Sequence, residues 1–394
     1  MAVGVQVTGT DMVDTRIAGG LVAEIIPDLA AAEALWRRLE ADPASLGTPY
    51  QRFDWIGAYL RATGQAERAR VAVLRDADGR PRILIPFTLQ REHGLRLART
   101  VGDTHANYHL PLFATRGAAA IAPGSIVAAL IRAGRADGID AFALKHQPRM
   151  WDGAANPLAA SGEAEASDAY GLMLGPDPEA TVRRAFSADA RKKLRSKEKR
   201  LVEAHGAITY RRAETADEAA RLLAAFFAQK SARFAGMGVS DPYADPAIRA
   251  FLTAAATGAE PAVELYALCL AESGRVLATF GGAVSERRFS GMMTAFDGDP
   301  EIARYSPGDL LLQHLVRDQT ARGRQGFDLG VGEARYKASI CDETIGLVET
   351  IIPVTLRGRI YGALRRGLNR TKRRIKRDPR LYAVLKKLRT LRRS

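Results

Sequence analysis

The sequence of 394 residues is poor in two residue types that often build structural or catalytic sites, because it holds only two cysteines and six histidines. Cys269 and Cys341 lie far apart and match no metal-site spacing, so we predict neither a disulfide framework nor a zinc site. The histidines are scattered without the spacing of metal ligands or of a Ser-His-Asp arrangement. Two isolated thiols are typical of a reducing environment, so we expect a cytoplasmic protein.

Long apolar runs are also missing from the sequence. No stretch reaches the roughly 18 uninterrupted apolar residues of a transmembrane helix. The first residues, MAVGVQVTGTDMVDTR, lack the basic and then apolar pattern of a secretory signal, so residues 1–20 are expected to be a flexible N-terminus. A content of 47% hydrophobic and 26% charged residues is that of a globular protein, and the length predicts two domains.

Acidic residues are nearly absent from residues 356–394, which contain 16 Lys or Arg and one acid, Asp378. The other residues carry 42 basic and 43 acidic side chains. Apolar residues recur in the tail at helical spacing, at Ile360, Leu364, Leu368, Leu381, Leu385 and Leu388. Basic amphipathic helices bind anionic membranes or nucleic acid, and two tyrosines are few for base stacking. We expect an anionic membrane surface, with nucleic acid or a disordered tail as alternatives.

The pattern along the chain alternates between helices and strands. Residues 70–89 form two β-rich runs around an Asp-Gly turn, and residues 263–297 read as three antiparallel strands. Both regions contain a strand, a turn that ends in Gly-Arg and a second strand, with Gly79-Arg80 and Gly274-Arg275 lying 195 residues apart. This echo indicates an internal duplication.

Three further elements are expected between and after these regions. Residues 155–171 are rich in Ala, Gly, Ser and acid and read as an exposed loop, with a strand re-entering near Tyr170. Residues 177–206 read as a long basic helical region that ends at Gly206. A last strand is expected over residues 347–355.

The stretch YSPGDLLLQHLV begins a helix with Ser306 as N-cap, Pro307 at the first position and Asp309 three residues after the cap. Gly308 is not needed to start a helix and costs about 0.5–1 kcal/mol relative to alanine. It allows another group to approach the backbone, and a helix N-terminus attracts phosphate. Two readings stay open: a plain helix start, or an anion site in which Asp309 adds an opposing charge.

The stretch FDLGVGEARYK places Asp328, Glu333, Tyr336 and Lys337 close together in sequence. Acyl transfer needs a base, a group that stabilises an oxyanion and an acid for the leaving group. Glu333 or Asp328 is the expected base, Lys337 the oxyanion or phosphate partner and Tyr336 the acid. Alternatively, Asp328 only satisfies turn amides and Lys337 is a solvated charge. A dinucleotide-binding reading of the Gly-x-Gly is discounted because no downstream ribose-binding acid follows.

Four stretches carry a resemblance to a known family: SADARKKLRSKEKRL, FFAQKSARFAG, DGDPEIARYSPGDLLLQHLV and GFDLGVGEARYK. With them, residues 181–340 resemble the CelD-like, cellulose-biosynthesis-associated branch of the GNAT acyltransferases, which is related to the Fem-type aminoacyl transferases. TPYQRFDWIGAYL in the first half is similar to the same branch. The resemblance implies an α/β fold of tandem GNAT-like domains, each a central mixed sheet flanked by helices, plus a basic helical tail. The expected domains are residues 21–175, 176–355 and 356–394.

The resemblance also implies a function. The expected activity is transfer of an acyl group, acetyl from acetyl-CoA, to an amine or hydroxyl of a saccharide, exopolysaccharide or cell-envelope precursor, at the inner membrane. The alternatives are Fem-like aminoacyl transfer from charged tRNA and a non-catalytic scaffold for polysaccharide synthesis. The stretch from Arg304 to Asp309 matches the usual GNAT phosphate-binding pattern only in part.

The expected site has three parts. The donor is expected at Arg304, Ser306, Pro307, Gly308, Asp309 and Leu310. The expected catalytic residues are Asp328, Glu333, Tyr336 and Lys337. The expected substrate-binding residues are Arg191, Lys192, Arg195, Gln229 and Arg233. The alternative for the first three, which lie in RKKLRSKEKR, is a basic helical face that is only solvated.

Overall fold

The structure is a computed structural model that describes residues 20–377. The predicted flexible N-terminus therefore lies almost wholly outside the described residues, as do Leu381, Leu385 and Leu388. The elements of the first half are β1 (Val22–Ile26), α1 (Leu29–Glu40), α2 (Phe53–Ala62), β2 (Ala69–Arg75), β3 (Pro81–Glu92), β4 (Leu95–Thr100), β5 (Leu112–Phe113), α3 (Arg116–Ala119), α4 (Pro123–Ala136) and β6 (Ala141–Pro148).

A connecting segment of short strands leads to the second half. Its strands are β7 (Met150–Trp151), β8 (Ala154–Ala155), β9 (Glu163–Ala164) and β10 (Ala169–Met173). The predicted re-entering strand near Tyr170 is confirmed as β10, but the prediction of an exposed loop over 155–171 is wrong in part. Residues 156–159 are buried, because the Asn156 side chain caps a short 3₁₀ turn that packs Leu158 into the core.

The second half continues to the end of the described chain. Its elements are α5 (Pro178–Ala185), α6 (Ala188–His205), β11 (Ile208–Arg212), α7 (Ala216–Gly236), α8 (Pro246–Thr257), β12 (Val263–Leu270), β13 (Val276–Val284), β14 (Arg288–Phe296), α9 (Pro300–Ala303), α10 (Pro307–Ala321), β15 (Gly326–Val331), α11 (Arg335–Ile340), β16 (Glu343–Ile345), β17 (Leu347–Pro353) and α12 (Leu356–Arg377).

The basic region 177–206 is two helices, where the sequence predicted one helical region. Phe186 adopts an extended conformation and is buried, which interrupts the helix. Ser187 then starts α6, because its hydroxyl accepts a hydrogen bond from the Ala190 N–H at 3.2 Å. The predicted end of the region at Gly206 is confirmed, with Gly206 at a φ of 88°.

The two mixed sheets have the same strand order and the same pattern of parallel and antiparallel pairing, which is called their strand plan below. In the first, β1, β2, β3 and β4 pair antiparallel, β4 and β6 pair parallel, and β6 and β17 pair antiparallel. In the second, β11, β12, β13 and β14 pair antiparallel, β14 and β15 pair parallel, and β15 and β10 pair antiparallel. The Gly79 and Gly274 turns occupy equivalent places in the two plans, so the duplication indicated by the sequence appears in the topology. The expected pair of mixed sheets flanked by helices is confirmed.

The two sheets exchange strands. β10 follows the first half in sequence but pairs with β15 of the second sheet. β17 follows the second half but pairs with β6 of the first sheet. The last strand was predicted from its composition, but its partner was not. Each sheet is therefore complete only when both parts of the chain are folded.

Aromatic side chains from both halves share one core. Trp55 of α2 meets Phe251 of α8 with ring centroids 5.1 Å apart, in an edge-to-face arrangement. Tyr59, one turn further along α2, contacts the same phenyl ring at 5.2 Å. A separate apolar cluster packs α5, α6 and α10 on the other face of the second sheet. The second sheet is thus covered by α5, α6 and α10 on one face, and by α7, α8 and the first half on the other.

The described part of the basic tail, α12, lies against the first sheet. Gly358 allows this close packing, since a Cβ placed there would lie 1.9 Å from the carbonyl oxygen of Asp140. Arg99 of β4 donates to the Tyr361 hydroxyl at 3.0 Å, and Arg365 pairs with Glu349 of β17 at 2.7 Å. None of the helices between residues 20 and 377 is long and apolar enough to span a membrane.

The close approach at Gly358 predicts the effect of a single methyl group. Gly358→Ala forces α12 away from Asp140 and is expected to lower the free energy of unfolding by about 1–3 kcal/mol. Gly367→Ala on the same helix meets no atom within 4 Å and is the matched control, expected to be neutral or stabilising by up to about 1 kcal/mol. Urea denaturation of both variants measures the difference. Equal stabilities would show that α12 does not pack as described.

Candidate active site

The second sheet opens between its two parallel strands. β14 and β15 pair at only three positions, from Arg288 with Gly326 to Ser290 with Asp328, and then diverge. A β-bulge lies at the point of divergence, because Gly281 and Gly282 of β13 pair with Met293 and Gly291 and skip Met292. A bulge bends its strand and increases the local twist. The result is a fork in which β14 and β15 no longer pair with each other beyond Ser290 and Asp328.

Asn107, from the first half, enters this fork. Its Nδ2 donates to the carbonyl oxygen of Gly291 on β14 at 2.9 Å, and its Oδ1 accepts from the Val331 N–H on β15 at 3.4 Å. Gly330 has a φ of 71°, and a Cβ there would lie 2.6 Å from the carboxamide. A glycine is therefore required where the side chain enters, and Asn107 braces both edges of the fork.

The first half holds the loop that carries Asn107 in place. The His109 N–H donates to the His146 carbonyl oxygen at 3.0 Å, and the Gln51 side chain donates to the Tyr108 carbonyl oxygen at 3.3 Å. Asn107 also donates to the Tyr50 hydroxyl at 2.6 Å. Three separate contacts thus fix the loop at Asn107 and at the two residues that follow it.

The N-terminus of α10 lies at the open end of β14. Ser306 is its N-cap, as predicted, but it adopts a left-handed conformation with a φ of 54° and its side chain does not cap the helix. Its Oγ instead accepts a hydrogen bond from Lys197 of α6 at 2.6 Å. Left-handed geometry in a residue other than glycine costs energy and is found at functional sites. The side-chain cap expected from the local sequence is absent, because the Ser306 hydroxyl instead binds Lys197, which is distant in sequence.

The first turn of α10 is open to solvent at Asp309 and partly open at Gly308. A Cβ on Gly308 would meet only Phe296, at an unstrained 3.8 Å, and among the described residues the Gly308 N–H has no acceptor. Asp309 is exposed, yet neighbouring atoms partly desolvate it and raise its pKa, while Lys197 lowers it. The tip therefore offers a free N–H, the positive end of a helix dipole and a lysine.

The remaining predicted donor residues have other surroundings. Arg304 is exposed, pairs with Glu301 at 3.1 Å and stacks on Tyr305 at 5.0 Å. Pro307 is buried at the first helical position, and Leu310 is buried in the core. The Leu310 side chain is therefore directed away from any ligand at the tip, and only its backbone belongs to the first turn.

Two predicted residues of α7 lie at the same end of the sheet. Gln229 donates to the Val276 carbonyl oxygen at 2.8 Å, and the guanidinium of Arg233 lies 5.1 Å from the centre of the Phe296 ring. Among the described residues, no carboxylate lies within 4 Å of Arg233. Phe296 is thus shared by Arg233 on one side and Gly308 on the other, which joins α7 and α10 in one cationic rim.

The predicted basic face of α6 is only partly directed toward this rim. Arg191 donates to the Phe186 carbonyl oxygen at 3.1 Å, at the start of its own helix. Lys192 and Arg195 are exposed. Lys197, which the sequence did not single out, is the residue of α6 that reaches the tip of α10.

Asp328 is fully buried where the fork begins. Its carboxylate pairs with Arg288 at 3.2 Å and accepts from the Ser290 hydroxyl. Burial raises its pKa to about 6, and the nearby guanidinium opposes that rise. Arg288 also pairs with Asp152 at 3.1 Å and Glu343 at 2.6 Å, so its pKa lies above the ordinary value. This network joins both halves, and Asp328 anchors the base of the fork.

The other predicted catalytic residues lie along the segment after β15. Lys337 is buried and donates to the carbonyl oxygens of Gly330 and Val331 at 3.2 and 3.1 Å, and burial lowers its pKa. Tyr336 is half exposed, burial raises its pKa, and Asp309 contributes to the rise. Glu333 is exposed. The structure brings Tyr336 near the tip of α10, whereas Lys337 holds the end of β15.

Residues 188–338 match the family model described as an acetyltransferase (GNAT) domain. This part of the chain is called the GNAT domain below because of that match. The match agrees with the GNAT resemblance of residues 181–340, while the CelD-like branch stays a prediction. No curated protein sequence matches the chain.

Solved structures resemble the chain over nearly its whole length. A crystal structure of FemX is 11% identical, with a TM-score of 0.57, and the match covers 86% of this chain and 99% of FemX. A conserved protein of unknown function from Bacteroides thetaiotaomicron is also 11% identical, with a TM-score of 0.52 and coverage of 82% and 96%. At these identities the similarity concerns the fold, which is one of tandem GNAT-like domains.

The first half has a fork equivalent to that of the GNAT domain. β4 and β6 pair at three positions and then open onto a cavity of about 330 Å³. Each of its three cations already faces a carboxylate: Arg99 pairs with Glu92 at 2.5 Å, Lys145 with Asp103 at 3.8 Å and Arg365 with Glu349 at 2.7 Å. An anionic donor therefore finds unpaired cations in the GNAT domain and not in this cavity.

Sequence reasoning missed several residues of the site. Asn107 and His105 stood in HANYHLP, but nothing in that stretch signals a partner nearly 200 residues away. Arg288, in SERRFSG, resembles an exposed turn charge. Met292 and Phe296 appear only as ordinary strand residues. Only Lys197 had a signal in the sequence, because it lies in the basic run RKKLRSKEKR. That run was interpreted as one helical face, and Lys197 was not distinguished within it.

The buried ion pair of Arg288 and Asp328 predicts that replacing Arg288 lowers the free energy of unfolding much more than replacing Arg275, a surface arginine of the same domain. Arg288→Leu leaves Asp328 as a buried unpaired charge and is expected to lower the free energy of unfolding by about 3–5 kcal/mol at pH 8. Because the folded pKa of Asp328 already lies above its ordinary 3.8 and rises further in the variant, the loss grows as pH increases from 4 to 8. Denaturation at several pH values measures it.

Arg275→Leu is the matched control, since Arg275 pairs with Asp297 and Asp299 at the surface. Its expected cost is about 0–1 kcal/mol with little pH dependence. Similar losses for the two variants would contradict the assignment of Asp328 as a buried, paired carboxylate.

Proposed function

We propose that the protein is an acyltransferase that takes an acyl group, acetyl in the simplest case, from acyl-CoA and transfers it to an amine or hydroxyl of a saccharide or envelope precursor. The observation that carries the proposal is the open tip of α10 beside the fork. A diphosphate at the tip accepts from the Gly308 N–H and faces Lys197 and Arg233. The acyl arm then extends along the diverging edges of β14 and β15 toward Asn107.

Charge and position support coenzyme A as the donor. Coenzyme A carries a diphosphate and an extended chain with two amides, and the site combines a cationic rim with the edges of two diverging strands. Asp309 opposes this assignment, because it places a carboxylate in the first turn. Partial desolvation raises its pKa, so bound phosphate is expected to raise it further.

A direct test is calorimetry with acetyl-CoA. Wild-type protein is expected to bind, and Lys197→Ala is expected to weaken binding by about 10-fold through loss of a charged hydrogen bond. Asp309→Asn is expected to tighten binding by about 3- to 10-fold, because it removes a like charge. Lys193→Ala is the control, since Lys193 is exposed on the same helix and pairs with Asp189 at 2.8 Å.

The outcomes separate the donor classes. Absence of acetyl-CoA binding to folded wild-type protein contradicts the proposal. Binding of charged tRNA with release of its aminoacyl group, in the same protein, would then favour the Fem-like alternative. Binding of neither donor would favour the scaffold.

We further propose that α12 attaches the protein to an anionic membrane surface on the cytoplasmic side. Leu356, Ile360, Leu364 and Leu368 are 53–72% exposed and form a stripe on the helix side facing away from the first sheet. The helix contains ten Lys or Arg residues and no acid. An apolar stripe bordered by cations fits the interface of anionic lipids, where the leucines are buried and the cations meet headgroups.

Vesicle binding tests this attachment. The double variant Ile360→Ser/Leu364→Ser is expected to bind vesicles of 30% phosphatidylserine at least about 10-fold more weakly than wild type, because two side chains lose apolar burial. Ala363→Ser, on an exposed position of the same helix, is the control. Unchanged vesicle binding by the double variant, or retention on RNA without vesicle binding, would contradict the membrane assignment.

A further inference from the structure

A cavity of about 280 Å³ lies between the halves, on the side of the fork away from α10. The loop from Thr104 to Asn107 lines one wall, Tyr243 and Leu252 line another, and Met292 and Met293 of β14 line the third. Asn107 belongs both to this cavity and to the fork. A chain that enters the fork from the α10 tip therefore reaches the cavity at the Asn107 carboxamide.

The lining of this cavity differs from the donor rim in charge. Among the described residues it contains no Lys, Arg, Asp or Glu. A charged group buried here would lose hydration without gaining a partner. The cavity therefore fits an uncharged ligand, and its volume, just below the usual range for small-molecule pockets, fits one ring-sized group.

The polar and apolar sides of the lining suit a sugar ring. Tyr243, Leu252 and the two methionines offer apolar and aromatic surface to ring C–H groups. Thr104, His105 and Asn107 offer hydrogen-bonding groups on one wall. This division matches a ring with hydroxyls at its edge and C–H groups on its faces.

His105 is the one histidine in this lining. Its ring lies 6.4 Å from that of Tyr59 and 6.3 Å from that of Phe251. Burial lowers its pKa, while Asp103 and Asp245 act in the opposite direction. The imidazole is therefore neutral at pH 7 and able to accept a proton.

We propose that this cavity is the acceptor site of the transferase, that it takes one uncharged sugar ring, and that His105 is the base that removes the proton from the attacking hydroxyl or amine. The inference rests on the proposed acyl transfer and adds the position of the acceptor, its lack of charge and the base. Asn107 is a positioning residue, because it holds the fork that joins the donor rim to this cavity.

The step balances without a further reactant. The acceptor oxygen or nitrogen attacks the thioester carbonyl carbon, a C–O or C–N bond forms, and His105 takes the acceptor proton. The C–S bond breaks, and the proton passes to the leaving thiolate. The products are the acylated sugar and free coenzyme A.

Binding of a neutral sugar tests the cavity without any donor. Methyl β-D-glucopyranoside is expected to bind wild-type protein in saturation-transfer NMR. Methyl β-D-glucuronide and glucose 6-phosphate, which add an anion, are expected to bind about 10-fold more weakly. Thr104→Trp, at an exposed position of the lining, is expected to abolish binding, and Ala254→Trp, on the outer face of α8, is the control. Equal binding of the three sugars, no binding of the neutral sugar, or unchanged binding in Thr104→Trp overturns the acceptor assignment.

The pH dependence of transfer tests His105. With acetyl-CoA and methyl β-D-glucopyranoside, kcat/KM is expected to fall on acidification through a pKa below 6.5 as His105 becomes protonated. His105→Gln is expected to lower kcat/KM at pH 7 by about 10²- to 10⁴-fold and to remove the acid limb. An acid limb that persists in His105→Gln overturns the role of His105. Absence of acetyl-CoA binding in the calorimetry would instead refute the proposed function, so the two failures are distinguishable.

Discussion

The exchange of β10 and β17 between the sheets is the constraint on which the rest of the structure depends. Because each sheet borrows a strand, the two halves are fixed relative to each other by backbone hydrogen bonds as well as by the shared aromatic core. That fixed arrangement allows a loop of the first half to enter the fork of the GNAT domain. It also places Asp152, from the connecting segment, beside Arg288 of β14. The candidate site is therefore a product of both halves, although the family model matches only one of them.

The site divides into two environments with opposite electrostatics. At the tip of α10, Lys197 and Arg233 flank an exposed helix N-terminus, which suits a phosphate-bearing carrier. Beyond Asn107, the described residues that line the cavity include no Lys, Arg, Asp or Glu. The fork joins the two, so a thioester can present its carbonyl to an uncharged acceptor while its anionic end stays in the cationic rim. Asp328 lies outside both environments and stabilises the base of the fork through Arg288.

Local sequence patterns predicted the hairpin, the meander, the start of α10 and the final strand, because these depend on neighbouring residues. The strand exchange could not be predicted, since composition does not identify the partner of β17. The same limit applies to Asn107, whose contacts with Gly291 and Val331 span 184 and 224 residues. Ser306 shows a partial success: its position as N-cap is correct, but Lys197 of a different helix determines what its hydroxyl does. Lys337 was predicted as a catalytic or surface charge, whereas the structure shows it buried against backbone carbonyl oxygens.

The central claim is that the fork between β14 and β15 is the path of the donor. A crystal structure with bound coenzyme A tests it most directly. The account predicts the diphosphate within hydrogen-bonding distance of the Gly308 N–H and Lys197, and the pantetheine chain along β14 and β15 from the tip of α10 to Asn107, with its thiol directed toward His105. Coenzyme A bound instead in the cavity between β4 and β6, with the fork of the GNAT domain empty, would contradict it.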